Sequence, residues 1–555
     1  MRKKSLMVFL AAAAFAGCLA GCGKSEPEPG RIAGYDEGEQ YLSIWVHSIE
    51  DTDEGRCYKK SVEAFNEKYD GTYFADIEFI PRNDSGGGYS DKINASVMTG
   101  DLPDVLTVDG PNIAAYAENG IIQPLAEISD GDKSIYLDSI IEQGTYNDKL
   151  YALGAMESSV GCYYNKDILK EAGVEVPDGD HPWTFSEFLD VLEKVKPVCE
   201  AKGGYALDMT FPVGEATIYY YAPFFWSNGG SLVDDTGLKV DGVFNSKENA
   251  DTVNYFKTIL ANGYMSSVPI QNLFESGRAA FKFDGAWEVN ALYTSYPDVS
   301  FGVAPYVVGD NWNGERYTPT GSWAYAASSK TENLEGATKL VQWMSGVESG
   351  KMLWNDTKTF PSTYEAFESI DIFQTDENYN ALYNQLSKYG HPRPKTPVYP
   401  QVSTSFQQVL ENCVLSGEDV EDQLDNPFTV VEELLEEIET PNILVDFHAE
   451  ATAEKKAMGY FLAGRVTAVV GTHTHVQTAD ETILSEHTGY ITDVGMTGPE
   501  ESILGVAVQP ALDRFRFHFP TRFTEGSDPC FLNGVIITFD EKCGKCTKIE
   551  RLIVR

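Results

Sequence analysis

The sequence predicts an α/β protein built from more than one folded unit. Three observations carry that expectation. The chain has 555 residues, several times the roughly 100–200 of an ordinary domain. Its hydrophobic content of 42% supplies enough apolar material for large cores. Strand-like and helix-like runs alternate, the pattern of a mainly parallel sheet covered by helices.

The elements follow in order. Arg2, Lys3 and Lys4 give a positive start, and Leu6 to Ala16 is an apolar run. That run is too short to span about 30 Å of hydrocarbon and fits a secretory signal peptide. Leu19-Ala20-Gly21-Cys22 comes next. It resembles the lipobox of bacterial lipoproteins, which implies cleavage before Cys22 and lipidation of its thiol. A plain signal peptide cut elsewhere is the alternative. Residues 22–40 then form a lipidated cysteine and a polar, Pro-rich tether. No later stretch reaches 18 apolar residues, so lipid would be the only membrane anchor.

Tyr41 to Val46 is strand-like, Cys57 to Tyr69 has helical spacing, and Ala75 to Ile80 alternates as a strand. Asp91 to Met98 is an expected helix and Val105 to Val108 a buried strand. Asp167 to Ala172, Thr184 to Val195 and Ser246 to Asn262 are expected helices. Thr184 and Glu187 have capping-box spacing. Val299 to Val307 is strand-like, Tyr325 to Ala327 leads into a helix at Leu334 to Met344, and helices with loops continue to about Thr440.

Composition changes near Pro441. All eight tryptophans precede it, and five of the eight histidines follow it. Residues 442–555 hold 15 acidic and 11 basic side chains, whereas the whole chain carries a net charge of −42. Pro441 is therefore expected to join segments of different origin. Charge of this sign repels phosphate backbones, so no nucleic-acid partner is expected. Seven cysteines lie beyond the leader, scattered and odd in number, which is no disulfide framework. Cys543-Gly544-Lys545-Cys546 has half of a zinc-ribbon spacing and no second pair, so a turn is the better reading. His47, His181 and His391 are isolated and read as solvated or packed. Nothing before 440 argues for catalysis.

An ordered set of motifs occupies the larger segment: Thr99-Gly100-Asp101-Leu102-Pro103-Asp104-Val105 leading to Asp109, Tyr116-Ala117-Glu118-Asn119-Gly120, Tyr164-Asn165-Lys166, Trp226-Ser227-Asn228-Gly229-Gly230, Gly285-Ala286-Trp287 and Gly321-Ser322-Trp323-Ala324. Their order resembles the extracellular solute-binding proteins of family 1, the maltose-binding-protein type, over about 40–440. The resemblance implies the two-lobe periplasmic-binding-protein type II fold. Lobe one would hold about 41–150 and 299–346, and lobe two about 151–298 and 347–440. It also implies a small-molecule solute, membrane subunits of an ABC importer as partners, and an extracytoplasmic, lipid-anchored location. A carbohydrate suits the aromatic content of 12%, because pyranose C–H faces pack on rings while hydroxyls need fixed polar partners. The candidate ligand contacts are Trp45, Asp109, Trp226, Trp287 and Trp323, with core packing or helix capping as the alternative for each. Trp343 and Trp354 are read as core.

In the tail, Ile443 to Phe447 is an expected buried strand ending at His448, Ala453 to Leu462 a helix, and Ala468 to Val470 a strand running into His473-Thr474-His475. This order places three imidazoles in loops after strand ends, where α/β sheets build sites, and His-x-His suits a metal. Val445-Asp446-Phe447-His448-Ala449-Glu450, Gly471-Thr472-His473-Thr474-His475-Val476-Gln477 and Thr492-Asp493-Val494-Gly495-Met496 resemble the bacterial metallophosphoesterases described as 2′,3′-cyclic-nucleotide 2′-phosphodiesterases. The resemblance implies His448, His473 and His475 as ligands of a two-metal site. Only the C-terminal part of that family matches, over 442–555. The remaining carboxylate and amide ligands are missing. At most one divalent metal (Fe, Mn or Zn), held weakly, is therefore expected, with no phosphodiesterase activity from this chain alone and an unpaired sheet edge. Two other readings stay open: a bifunctional fusion whose tail is an active metal-dependent phosphodiesterase, and a surface sensor or adhesin without transport.

Overall fold

The computed structural model describes residue 35 and residues 38–82, 87–179, 181–209, 214–312, 314–321, 323–517, 522–527 and 529–555. The leader and Cys22 lie outside the described residues. The chain forms two units that divide between Leu424 and Asp425.

The first unit begins with strand β1 (Gln40–Val46), helix α1 (Asp53–Lys68), strand β2 (Tyr73–Phe79), strand β3 (Val105–Asp109) and helix α2 (Ile113–Glu118). Alternation in β1 sends Leu42, Ile44 and Val46 to one face, against Val62 and Phe65 of α1. Trp45 goes to the other face, against Tyr89 and Ile93. Thr52 caps α1 by accepting from the Gly55 amide, and Asp53 and Glu54 sit favourably in its first turn. Strand β4 (Ala152–Gly154) completes the first lobe's sheet before the chain crosses to the second lobe.

The second lobe contains β5 (Val160–Asn165), helix α3 (Phe185–Ala201), β6 (Leu207–Asp208), helix α4 (Glu215–Ser227), β7 (Phe281–Gly285), helix α5 (Trp287–Ser295) and β8 (Phe301–Ala304). The expected capping box at Thr184 and Glu187 opens α3, with both reciprocal hydrogen bonds present. Strand β9 (Thr318–Thr320) then leads back to β10 (Trp323–Ala327) and helix α6 (Leu334–Met344) of the first lobe. Later, β11 (Gly390–Pro392) pairs with β9, and helix α7 (Tyr399–Leu410) packs in the second lobe's core.

Sheet one has the order β2-β1-β3-β10-β4 and sheet two the order β8-β5-β7-β6. Both are mixed, not mainly parallel. Strands β1, β2 and β3 run parallel, but β10 is antiparallel to β3 and β4. The reason is the crossovers: β10 arrives from the other lobe and enters the sheet from the cleft end. The lobe boundaries differ from expectation for the same reason. Residues 152–154 belong to sheet one and 301–304 to sheet two, and Leu353 packs in the first lobe's core.

The second unit starts one helix earlier than the expected junction at Pro441. Helix α8 (Pro427–Glu437) packs Phe428, Val431 and Leu435 against Met458 and Leu462. No tryptophan or histidine lies between 425 and 440, so composition could not mark that helix as part of the tail. There follow β12 (Leu444–His448), helix α9 (Thr452–Phe461), β13 (Ala468–Thr472), β14 (Thr482–Leu484), β15 (Thr488–Ile491), β16 (Thr497–Pro499), β17 (Cys530–Phe539) and β18 (Cys546–Val554). One sheet has the order β12-β13-β15-β14 and another β16-β17-β18. Among the described residues strand β12 pairs with β13 alone, and it is half exposed rather than buried, with Leu444 61% accessible. That is the expected unpaired edge. The seven cysteines of the described residues are free thiols, and Cys543 and Cys546 flank a turn at Gly544.

Candidate solute cleft and tail histidines

A cavity of about 560 Å³ lies between the lobes of the first unit, within the range of roughly 300–1,000 Å³ typical of small-molecule sites. Sheet ends build it. Asp109 is the last residue of β3 and pairs with Trp323, the first residue of antiparallel β10. Both therefore project at the same end of sheet one, where ligands of α/β proteins bind. From the second lobe come Glu215 and Tyr219 on α4 and Trp287 at the start of α5.

Two aromatic walls face the cavity. Trp323 stacks on the buried His47 ring, with centroids 3.5 Å apart and planes at 10°. Trp287 is 42% exposed and lies nearly parallel to Tyr219, with centroids 6.5 Å apart. Its indole folds back over Gly285, where an added Cβ would come within 2.2 Å of the ring. Tyr220 also lines the cavity and donates to Asp284 at 3.2 Å.

Charges are held in pairs. Arg393 Nη2 donates to Asp109 at 2.9 Å, and Arg393 Nη1 donates to Glu215. Its guanidinium also sits 5.2 Å from the Tyr219 ring centre. One buried cation thus joins the two lobes. Burial pushes the Glu215 carboxyl up, and the Arg393 charge opposes that shift. Burial drives the opposite change at His47, pushing its imidazole below 6.5. Its Nδ1 lies 3.1 Å from the Thr107 hydroxyl and its Nε2 lies 3.4 Å from Glu54. Burial alone would raise Glu54, but the contacts from His47, Arg82 and Tyr58 outweigh it and bring the carboxyl down to about 2. At the hinge, buried Glu157 accepts from the Ser139 hydroxyl and from the Ser158 and Gly321 amides. It ties the first crossover to the second, while burial raises its own carboxyl.

Of the five expected contacts, Asp109, Trp287 and Trp323 line this cavity. Trp45 and Trp226 do not. Trp45 is 7% exposed and packs under Lys92, whose ammonium sits 5.0 Å from its ring. Trp226 is 6% exposed and packs edge-on against His391. It stands seven residues beyond Tyr219 on α4, about 10 Å farther along the axis, which carries it away from the cleft. Arg393, Glu215, Tyr219 and Glu54 were not singled out from the sequence. The one local signal for Arg393 is its place between Pro392 and Pro394, which fix the backbone of a loop.

In the tail, β12 and β13 pair His448 with Thr472. His448 Nε2 approaches His473 Nδ1 to 3.2 Å. His475 turns away, with Nδ1 3.4 Å from the Leu504 carbonyl. His473 and His475 both have positive φ, 120° and 63°. The nearby Asp493 is committed elsewhere: it pairs with Lys455 at 3.2 Å, both side chains 1% exposed, and accepts the Thr474 and Gly495 amides. Among the described residues no group of three or more His, Cys, Asp or Glu side chains converges to hold a metal. The donors present therefore do not fit the two-metal centre implied by resemblance. No described helix is long and apolar enough to cross a membrane.

Two hinged α/β lobes around a ringed cleft define a ligand-enclosing protein. Residues 60–381 match the family model described as bacterial extracellular solute-binding protein, and the chain belongs to that family. Residues 402–552 match a YmdB-like protein family. The chain is 23% identical over 435 residues to a maltooligosaccharide ABC transporter solute-binding lipoprotein of Streptococcus pneumoniae, covering 76% of this chain and 94% of the relative. It is 24% identical over 434 residues to a galactooligosaccharide-binding protein of Bacillus subtilis, covering 76% and 95%. The tail is 51% identical over 133 residues to a 2′,3′-cyclic-nucleotide 2′-phosphodiesterase of Bacillus subtilis. That match covers 24% of this chain and 50% of the relative, so this chain spans half the relative's length. Two solved structures share the fold. The GacH receptor of Streptomyces glaucescens has a TM-score of 0.59 at 19% identity, covering 73% of this chain and 100% of that one. UgpB of Mycobacterium tuberculosis, in complex with glycerophosphocholine, has a TM-score of 0.59 at 20% identity, covering 72% and 99%.

Proposed function

We propose that the first unit captures a small carbohydrate outside the cytoplasm and presents it to an ABC importer, held to the membrane by lipid on Cys22. The observation that carries this reading is the pairing of Trp323 on one lobe with Trp287 and Tyr219 on the other, across a cavity with charged rims. Rings on both lobes let one sugar contact both, so binding stabilises the closed form, which an importer can distinguish from the open one. Glu54, Asp109 and Glu215 outnumber Arg82 and Arg393 around the cavity. That balance disfavours an anionic solute and suits hydroxyl groups. The tail is read as a segment without phosphodiesterase activity of its own.

The experiment is a thermal-shift screen of the purified full-length chain against carbohydrates and phosphodiesters. A solute at 100 times its Kd should stabilise the first unit by about 2.7 kcal/mol. A shift with glycerophosphodiesters and none with carbohydrates overturns the reading.

A further inference from the structure

Both ring walls of the cleft are built onto one short stretch of chain. Residues 155–159 join β4 of the first lobe to β5 of the second. The Ala155 amide donates to the Trp323 carbonyl at 2.8 Å. The Ser159 carbonyl accepts from the Ala286 amide at 3.1 Å, one residue before Trp287. Between them, Ser158 Oγ accepts from the Tyr219 hydroxyl at 2.6 Å. The rings of Trp323, Trp287 and Tyr219 come from β10, α5 and α4, yet this crossover holds all three. The first two contacts are backbone to backbone and do not depend on a particular side chain. The third depends on the Ser158 hydroxyl.

That hydroxyl is committed at both ends. A carbonyl can only accept, so Ser158 Oγ donates to the Gly321 carbonyl at 2.8 Å, and Tyr219 must donate in the other bond. Burial pushes the Tyr219 phenol up, so its proton stays in place. Gly321 lies on the second crossover, two residues before Trp323, with a φ of 95° that L side chains rarely adopt. Its amide donates to Glu157 Oε1 at 2.7 Å, and the Ser158 amide donates to the same oxygen at 2.9 Å. A chain of hydrogen bonds thus runs from a ring of the second lobe through both crossovers. Tyr219, Ser158 and Glu157 are all buried, so a link lost there leaves a polar group without water to replace it.

We infer that Ser158 is a positioning residue of the cleft: its hydroxyl fixes Tyr219 to the second crossover and so sets the spacing between the Tyr219 and Trp287 wall and the Trp323 wall. The inference rests on the ring-walled cavity as the solute site and holds whichever solute fills it. Ser158 also borders the cavity, so direct contact with the solute is the rival role. A measurement on the solute-free chain separates the two.

The test is fluorine NMR of the full-length chain carrying fluorotryptophan, with no solute added. Trp287→Phe and Trp323→Phe assign the two cleft lines. In Ser158→Ala those lines should move or split, while the lines of Trp183 and Trp343, which pack in the cores of the two lobes, should stay. Tyr219→Phe keeps the ring and removes the same hydrogen bond, so it should displace the same lines. The double variant should do no more than either single one. Amide hydrogen exchange should quicken at Ala155, Gly321 and Ala286 together by about two- to tenfold, the range that one net hydrogen bond allows. Circular dichroism checks folding, and Tyr219→Phe carries the test alone if Ser158→Ala does not fold. Cleft lines that stay in place in a folded variant overturn the inference. So do effects that add fully in the double variant, or exchange that quickens at Gly321 alone, which marks a local contact. None of these results touches the carbohydrate reading, which stands or falls on its own screen.

Discussion

Arg393→Met tests the lobe-bridging cation most directly. Methionine keeps much of the volume and removes the charge, so the effect is electrostatic more than steric. The Arg393 side chain is 4% exposed, while its partners Asp109 and Glu215 are 19% and 31% exposed. Removing one member of a buried ion pair costs about 3–5 kcal/mol. The partners' partial hydration places this case near the lower figure, about 3 kcal/mol. Unfolding entropy of about 2.1 cal/mol/K per residue over the roughly 390 residues of 38–424 gives about 0.8 kcal/mol/K, so Tm should fall by about 4 °C. Tryptophan fluorescence is the suitable probe, because all eight tryptophans lie between Trp45 and Trp354 and so report the first unit alone. Adding Asp109→Asn and Glu215→Gln should restore at least half of the loss, since the unpaired charges are then gone. An Arg393→Met protein that melts with the parent, or above it, refutes the bridge as a stabilising contact.

Other outcomes follow from the same geometry. Trp45→Ala, in the core, should cost about 3–5 kcal/mol of stability with little change in solute affinity. Trp287→Ala, at an exposed position, should do the reverse; equal effects on both measurements would contradict the assigned places. His47 is buried and its imidazole is lowered, so the unfolded chain takes up a proton that the folded chain refuses. Stability should therefore decline as pH falls below 6.5, and His47→Gln should flatten that slope in denaturant titrations; an unchanged slope argues against a neutral, buried imidazole. In the tail, metal analysis after dialysis should find no two-metal stoichiometry with Mn, Fe or Zn, and a model phosphodiester should stay uncleaved. Metal-dependent cleavage lost on His473→Ala would reverse that assignment.

Much of the fold was legible because local signals were strong. The run at Thr184 and Glu187 became the helix cap its spacing implied, and the alternation of Gln40–Val46 became a strand with two differently packed faces. The motifs offered Trp287 and Trp323 as candidates with core packing as the alternative, and both border the cavity. Trp45 and Trp226 could not be excluded from it, because a tryptophan looks the same in sequence whether it packs in a core or faces a cavity.

By itself, the sequence determined an α/β chain in two parts, with candidate rings in the larger part and three histidines on an incomplete scaffold in the smaller. These are consequences of periodicity, composition and short motifs, all local along the chain. Only the tertiary structure decided that β10 returns antiparallel beside β3 and brings Trp323 to Asp109. It alone decided that Arg393, 284 positions from Asp109, closes a bridge between lobes, and that His475 turns away from His448 and His473. Those outcomes depend on which distant backbone segments meet, and the electrostatic and packing energies that settle such meetings leave no periodic mark in the order of residues.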